Sequence, residues 1–218
     1  MILSQVEARV LGALMEKSMA TPDTYPLTLS SLVAACNQKS NRDPLMELDT
    51  KVVERLLYSL RQEKKLVTLV HQAGARVPKF EHGFQDLYGL SDLEVAVMTE
   101  LILRGPQTLA ELKNRVPRMD VHPNETQMEA ALESLQMVGG VVLVKKLPKS
   151  SGRRESRYAH QLCGEHSAEM ESETVQKVEL PPSAESQQIV ELTLRVESLE
   201  KALETLGKSF EAFRANFE

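Results

Sequence analysis

The chain has 218 residues, 42% of them hydrophobic and 26% charged, with a formal net charge of −5. That length admits one or two domains. Without an apolar run of about 18 residues or a basic-then-apolar leader, the chain reads as cytoplasmic with no membrane span. Two distant cysteines, Cys36 and Cys163, exclude a disulfide framework, and the lack of Trp with only 4% aromatics disfavours a base-stacking platform for single strands.

The charge is unevenly placed. Residues 1–163 carry a net +2 and residues 164–218 a net −7, so the part with apolar periodicity is mildly basic and the tail acidic. The first unit, residues 1–84, opens on Ser4-x-x-Glu7, the capping-box pattern of a helix start. Val6, Val10, Leu11 and Leu14 follow at the spacing that buries one helix face. Thr28-Leu29 opens a short second helix. The segment Ala35–Pro44 is dense in side-chain amides and carries Lys39, Asn41 and Arg42. These three are candidate phosphate contacts; the alternative is a loop held by Asn and Asp bonds to its own backbone. A third helix is predicted over 49–64, with Val53, Leu57 and Leu60 inward and Thr50, Lys51, Glu54, Arg55, Tyr58, Arg61 and Gln62 on its polar side. Lys51 and Arg55 are candidate nucleic-acid contacts, Arg55 and Gln62 with the reach to read base edges, while Glu54 and Glu63 oppose phosphate. Leu66-Val67 begins a strand.

The second unit, residues 85–163, runs the same series again. Leu90-Ser91-x-x-Glu94 matches Leu3-Ser4-x-x-Glu7, and Leu93, Val97, Met98 and Leu101 match the first apolar stripe. Thr108-Leu109 opens the second helix, and a third, about 125–137, sets Met128, Leu132 and Leu135 against Val53, Leu57 and Leu60. Such a repeat is evidence of two similar small units. The second copy of the third helix carries Glu125, Glu129 and Glu133 and no cation, which makes it a poor groove reader. Val141–Val144 is predicted as a strand, Tyr158–His160 as its return. Between them Lys145, Lys146, Lys149, Arg153, Arg154 and Arg157 face a single carboxylate, Glu155, around a Ser150-Ser151-Gly152 turn. A hairpin so charged suits contact with a phosphate backbone, or serves as a solvated loop.

Beyond Cys163 the pattern changes. Residues 164–186 are Glu- and Ser-rich with Pro181-Pro182, an acidic flexible linker. Residues 187–218 then carry Ile189, Leu192, Val196, Leu199, Leu203 and Leu206 at alternating spacings of three and four, continued by Phe210, Phe213 and Phe217. This is a coiled-coil seam whose a and d choices favour a parallel homodimer, with Arg195 set to meet Glu200 of the partner copy. The same stripe also suits a helix docked on its own chain.

Chemistry-bearing constellations are thin. His160-x-x-Cys163-x-x-His166 supplies three potential zinc ligands where a structural site takes four. Glycine-rich phosphate loops and His-Glu-x-x-His are absent. The expectation is a protein without catalytic residues, metal or cofactor.

Several longer blocks carry a resemblance. Thr21–Leu29, Ala35–Arg42, Leu103–Thr108 and Gly152–Tyr158 resemble the hallmark segments of the YceH-like family of bacterial proteins over about residues 3–165. The resemblance implies tandem winged-helix domains, mainly α with small β-hairpins, and carries no established activity. Two functions fit. One is a DNA-binding, regulator-like protein gripping duplex backbone through the basic hairpin. The other is a protein-interaction scaffold of the kind found in accessory subunits of bacterial chromosome-condensation complexes, a likeness of fold only.

Overall fold

The structure is a computed structural model that describes residues 2–71, 77–149 and 155–164. Helix α1 (Gln5–Ala20) starts where Ser4 Oγ accepts from the Glu7 N–H at 3.3 Å and the Glu7 carboxylate takes the Ser4 N–H at 2.8 Å. It is followed by β1 (Leu27–Thr28), α2 (Leu29–Cys36) and α3 (Thr50–Gln62), the last capped by Asp49. Strands β2 (Val67–Val70) and β3 (Lys79–His82) complete the first repeat, and the short α4 (Phe84–Tyr88) connects it to the second. Gly89, at φ 64°, stops α4 in the left-handed conformation that glycine adopts without strain.

The second repeat begins with another reciprocal box, Ser91 with Glu94, at the head of α5 (Asp92–Arg104). Thr108 with Glu111 opens α6 (Leu109–Arg115), and Asn124 with Gln127 opens α7 (Glu125–Ser134). Strands β4 (Val144–Lys146) and β5 (Tyr158–His160) close it. The sheets obey one plan. In the first repeat the order is β1-β3-β2, with Leu27 opposite Phe80 and Val67 opposite His82. In the second, β4 pairs antiparallel with β5, and the place of β1 shrinks to Gln107, whose N–H and C=O both bond to Tyr158.

Several boundaries differ from the sequence expectation. The Val141–Val144 run enters the sheet only at Val144, because Gly139 (φ 55°) and Gly140 (φ 84°) fold Val138 and Val141 into a two-residue turn first. Helix α7 ends at Ser134 rather than near 137, where the Gln136 and Met137 N–H groups donate instead to Glu133 O and Ser134 O, three residues back. Strand β3 and helix α4 have no clear sequence signal, since β3 buries Phe80 alone.

Helices α1 and α5 form the centre and pack on each other. Val6–Glu16 of α1 and Val95–Leu103 of α5 are buried without interruption, so the stripe read from sequence understates the burial. Gly12 permits the close crossing: a Cβ there would stand 2.7 Å from Ile102 Cγ2 and 3.0 Å from Leu103 Cδ2. The repeats are tied again where the Asp43 N–H donates to Leu103 O at 2.8 Å and the Leu3 N–H to Leu162 O at 2.7 Å. No helix among the described residues is long and apolar enough to cross a membrane.

Candidate nucleic-acid interface

The sequence of α3 separates two faces. Val53, Leu56, Leu57 and Leu60 are buried, while Lys51, Arg55, Tyr58 and Gln62 recur at spacings of four, three and four on the exposed side. Tyr58 is 64% exposed. Lys51 and Arg55 form no ion pair among the described residues. A cationic side chain free of carboxylate partners keeps its full charge available to a phosphate or a guanine edge. The matching face of α7 presents Glu125, Glu129 and Glu133 instead, all exposed, with Lys113 reaching Glu125 at 3.3 Å. The two copies of the third helix therefore carry opposite charge.

The β4–β5 hairpin is divided. Lys145, Lys146 and Lys149 are exposed, and the Lys146 ammonium lies 5.7 Å from the centre of the Tyr158 ring, within cation–π reach. Arg157 does not project with them. It folds back to donate to Pro106 O and, at 3.3 Å, to the Glu111 carboxylate, which leaves only 29% of its side chain exposed. The reason is local: β5 runs beside Gln107, so a long side chain at the strand start meets the Pro106–Glu111 segment before solvent. Arg153 and Arg154 lie outside the described residues, as do the 165–186 linker segment and the heptad residues Ile189, Leu192, Val196, Leu199, Leu203 and Leu206.

The Lys39–Arg42 loop requires a larger correction. Lys39 is exposed, but Arg42 is buried and bonded on all sides. Its guanidinium donates to both oxygens of Glu16 and to Ala35 O, Asn41 O and Gln38. Asn41 sits at φ 58°, and its side-chain oxygen accepts from Arg104 of the second repeat. Asn37 closes the loop by bonding both the N–H and the C=O of Leu48 at 2.8 Å. The loop of side-chain amides thus holds itself and ties the repeats together, and Arg42 is not available to a phosphate.

Three helix carboxylates of the described residues are turned inward. Glu7, Glu16 and Glu100 are buried. Glu16 faces Arg42 and Arg118, and Glu100 faces Arg118, with Arg104 at 3.9 Å. Burial alone would raise the Glu16 pKa; the hydrogen bonds and charges of Arg42 and Arg118 outweigh it and hold the carboxyl below its ordinary value. Arg9 is likewise buried, and donates to Pro44 O at 2.6 Å. One signal was present in the sequence: Val6, Arg9, Ala13 and Glu16 make a second stripe on α1, with a small residue at its middle. Burial pushes the Cys36 thiol up to about 12, so it stays protonated and inert at neutral pH.

A cleft of about 510 Å3 opens elsewhere, between the end of α1, β3 and the segment after α6, lined by Ser18, Tyr25, Glu81, His82, Asp86 and Asp120 among others. His82 bonds Ser18 at 2.9 Å, and burial lowers its pKa to about 4. No group of His, Cys, Asp and Glu suited to hold a metal ion occurs among the described residues.

The family model described as protein of unknown function, DUF480, matches residues 3–153, across both repeats. The chain belongs to the DUF480 family. This agrees with the resemblance to YceH-like bacterial proteins drawn from the Thr21–Leu29 and Ala35–Arg42 blocks. A UPF0502 protein of Geobacter sulfurreducens is 42% identical, over 100% of this chain and 99% of its own length. One from Geotalea daltonii is 43% identical over 91% and 87% of the two chains, and one from Aeromonas salmonicida 45% over 76% of each. The DUF480 match covers α1–α7 and the buried arginine–glutamate cluster between α1 and α5.

Proposed function

We propose that each repeat is a winged helix and that the protein binds duplex DNA. In this reading α3 enters the major groove and the exposed Lys145, Lys146 and Lys149 lie along the phosphate backbone. The helix–helix–helix–hairpin order and the shared sheet plan support the winged-helix assignment. The observation that carries the DNA reading is the exposed Lys51-Arg55-Tyr58-Gln62 face of α3, whose two cations pair with no carboxylate of the described residues. Recognition helices of this class read base edges with such side chains. The second repeat contributes backbone grip, its own third helix being acidic.

The heptads from Ile189 to Leu206 join two copies in a parallel coiled coil. Two weak sites on one dimer bind DNA more tightly through high effective concentration. The test is fluorescence anisotropy of a labelled random duplex, titrated with the full chain at about 50 and 200 mM salt. Binding at low salt that weakens steeply at high salt is the expected result. No binding at low salt rejects the reading.

A scaffold for other proteins is the second reading, and α7 favours it. The Glu125-Glu129-Glu133 face repels DNA, and Met137, Val141 and Val142 beside it are exposed apolar residues. Under this reading Lys51→Ala with Arg55→Ala leaves partner binding intact, whereas Met137→Glu with Val141→Glu abolishes it.

A further inference from the structure

Positive charge outweighs negative where the repeats meet. The acidic members there are the buried Glu16 and Glu100 and the exposed Asp43, whose N–H donates to Leu103 O. Against them stand Arg42, Arg118, Arg104 and Lys17, each within 4.0 Å of the Glu16 or Glu100 carboxylate. Arg115 joins this group through Gln107: it donates to the Gln107 side-chain oxygen, and the Gln107 amide donates to Glu100 O at 2.9 Å. Burial lowers the Arg104 pKa; Glu100 opposes that shift, and the neighbouring charges of Arg115 and Arg118 add to it.

A guanidinium does not relieve such crowding by losing its proton. Relief has to come from an anion, and the cost of leaving like charges together is larger in a partly desolvated junction than in open water. The edge of the cluster is reachable. Arg104 and Arg118 keep 22% and 24% of their side chains exposed, and Arg115 is half-buried beside them. Inside the junction Arg118 Nη2 and Glu100 Oε2 are both buried without a hydrogen-bond partner, so the groups an anion reaches are the exposed edges of Arg104 and Arg118 and the half-buried Arg115. Arginine forks match the paired oxygens of a phosphoryl group.

We infer that Arg104, Arg115 and Arg118 form a binding site for a phosphate-type anion at the junction of the repeats. It is separate from the α3 and hairpin surfaces and does not depend on them. Its anion is either a free phosphate or a backbone phosphodiester of a nucleic acid.

The test is isothermal titration of the full chain with inorganic phosphate and with pyrophosphate, at ionic strength held constant with chloride, beside anisotropy with a random duplex. Thermal unfolding of the same samples gives a second readout. A free-anion site predicts saturable binding of phosphate or pyrophosphate and a raised Tm. Arg104→Gln and Arg115→Gln then each weaken binding by about tenfold, and Arg104→Lys, which keeps the charge but loses the fork, weakens it less. A phosphodiester site predicts that the same variants weaken the duplex alone. Lys145→Ala with Lys146→Ala changes neither small-anion measurement. Two results overturn the inference: wild-type protein that shows no small-anion binding and whose duplex affinity survives both Gln substitutions, or phosphate binding that both variants retain in full. Unfolding profiles of the variants without phosphate report whether they fold.

Discussion

The Glu16 carboxylate neutralises an arginine that has no route to water. Glu16→Gln leaves Arg42 charged and buried, held by Ala35 O and Asn41 O but without a counter-charge. Breaking one side of such a pair costs about 3–5 kcal/mol, so urea unfolding of the variant is expected to show a loss of that order. Arg42→Met, which removes the other charge as well as its bonds, tests whether a hydrophobic side chain of similar length restores stability to the Glu16→Gln background. The pH dependence has two separable parts. The folded Glu16 pKa lies below its ordinary value, so its stabilisation is complete above that value and disappears as pH falls through the depressed one. His82 is also depressed, from 6.5 to about 4, because burial disfavours its charged form. Stability attributable to it is therefore full above pH 6.5 and declines as pH drops towards 4, by up to roughly 3 kcal/mol. His82→Gln, monitored by thermal unfolding between those two pH values, is expected to flatten the decline. An unchanged slope places it on other groups. The Arg9–Glu16 stripe on α1 was visible in sequence, but the pairing was not: Arg42 and Glu16 lie on different elements, and an amide-rich loop with two cations looks the same whether it faces solvent or a buried carboxylate.

At the level of elements, the helix starts were the most legible part. Ser4 with Glu7 and Ser91 with Glu94 sit three apart ahead of apolar stripes, and both close as reciprocal caps. Capping depends on neighbours in the chain, which is why sequence reports it well. Strand positions depended on more distant facts. The Gly139-Gly140 turn delays β4, and β3 is set by pairing with β1 and β2 on either side rather than by its own alternation. The burial of α1 on every side also has a tertiary cause, its crossing with α5 at Gly12. In an open helix Gly→Ala gains about 1 kcal/mol. Here the added methyl would meet the β-branched Ile102 at 2.7 Å, so Gly12→Ala is expected to lose that gain and Gly12→Leu to lower Tm well below wild type. A Gly12→Leu protein as stable as wild type removes the crossing from the account.

On the scale of the whole molecule, the repeat was visible in sequence, and the contrast between its two copies was partly so. The acidic residues of the second third helix were evident from composition, as were the lysines of the hairpin. Accessibility was not: it withdrew Arg42 and turned Arg157 back, while leaving Lys51 and Arg55 exposed. The heptads predict a concentration-dependent dimer, so Leu192→Lys with Leu199→Lys is expected to yield monomers in sedimentation equilibrium and weaker duplex binding. Equal mass for both proteins across concentration removes the coiled coil. Because DNA contact by α3 rests on Lys51 and Arg55, the decisive comparison is the double variant Lys51→Glu with Arg55→Glu against wild type in the salt-dependent anisotropy titration. Duplex binding weaker by at least about tenfold, with a slope of log K against log salt shallower by about two, is the expected result. Affinity and slope equal to wild type would contradict that contact.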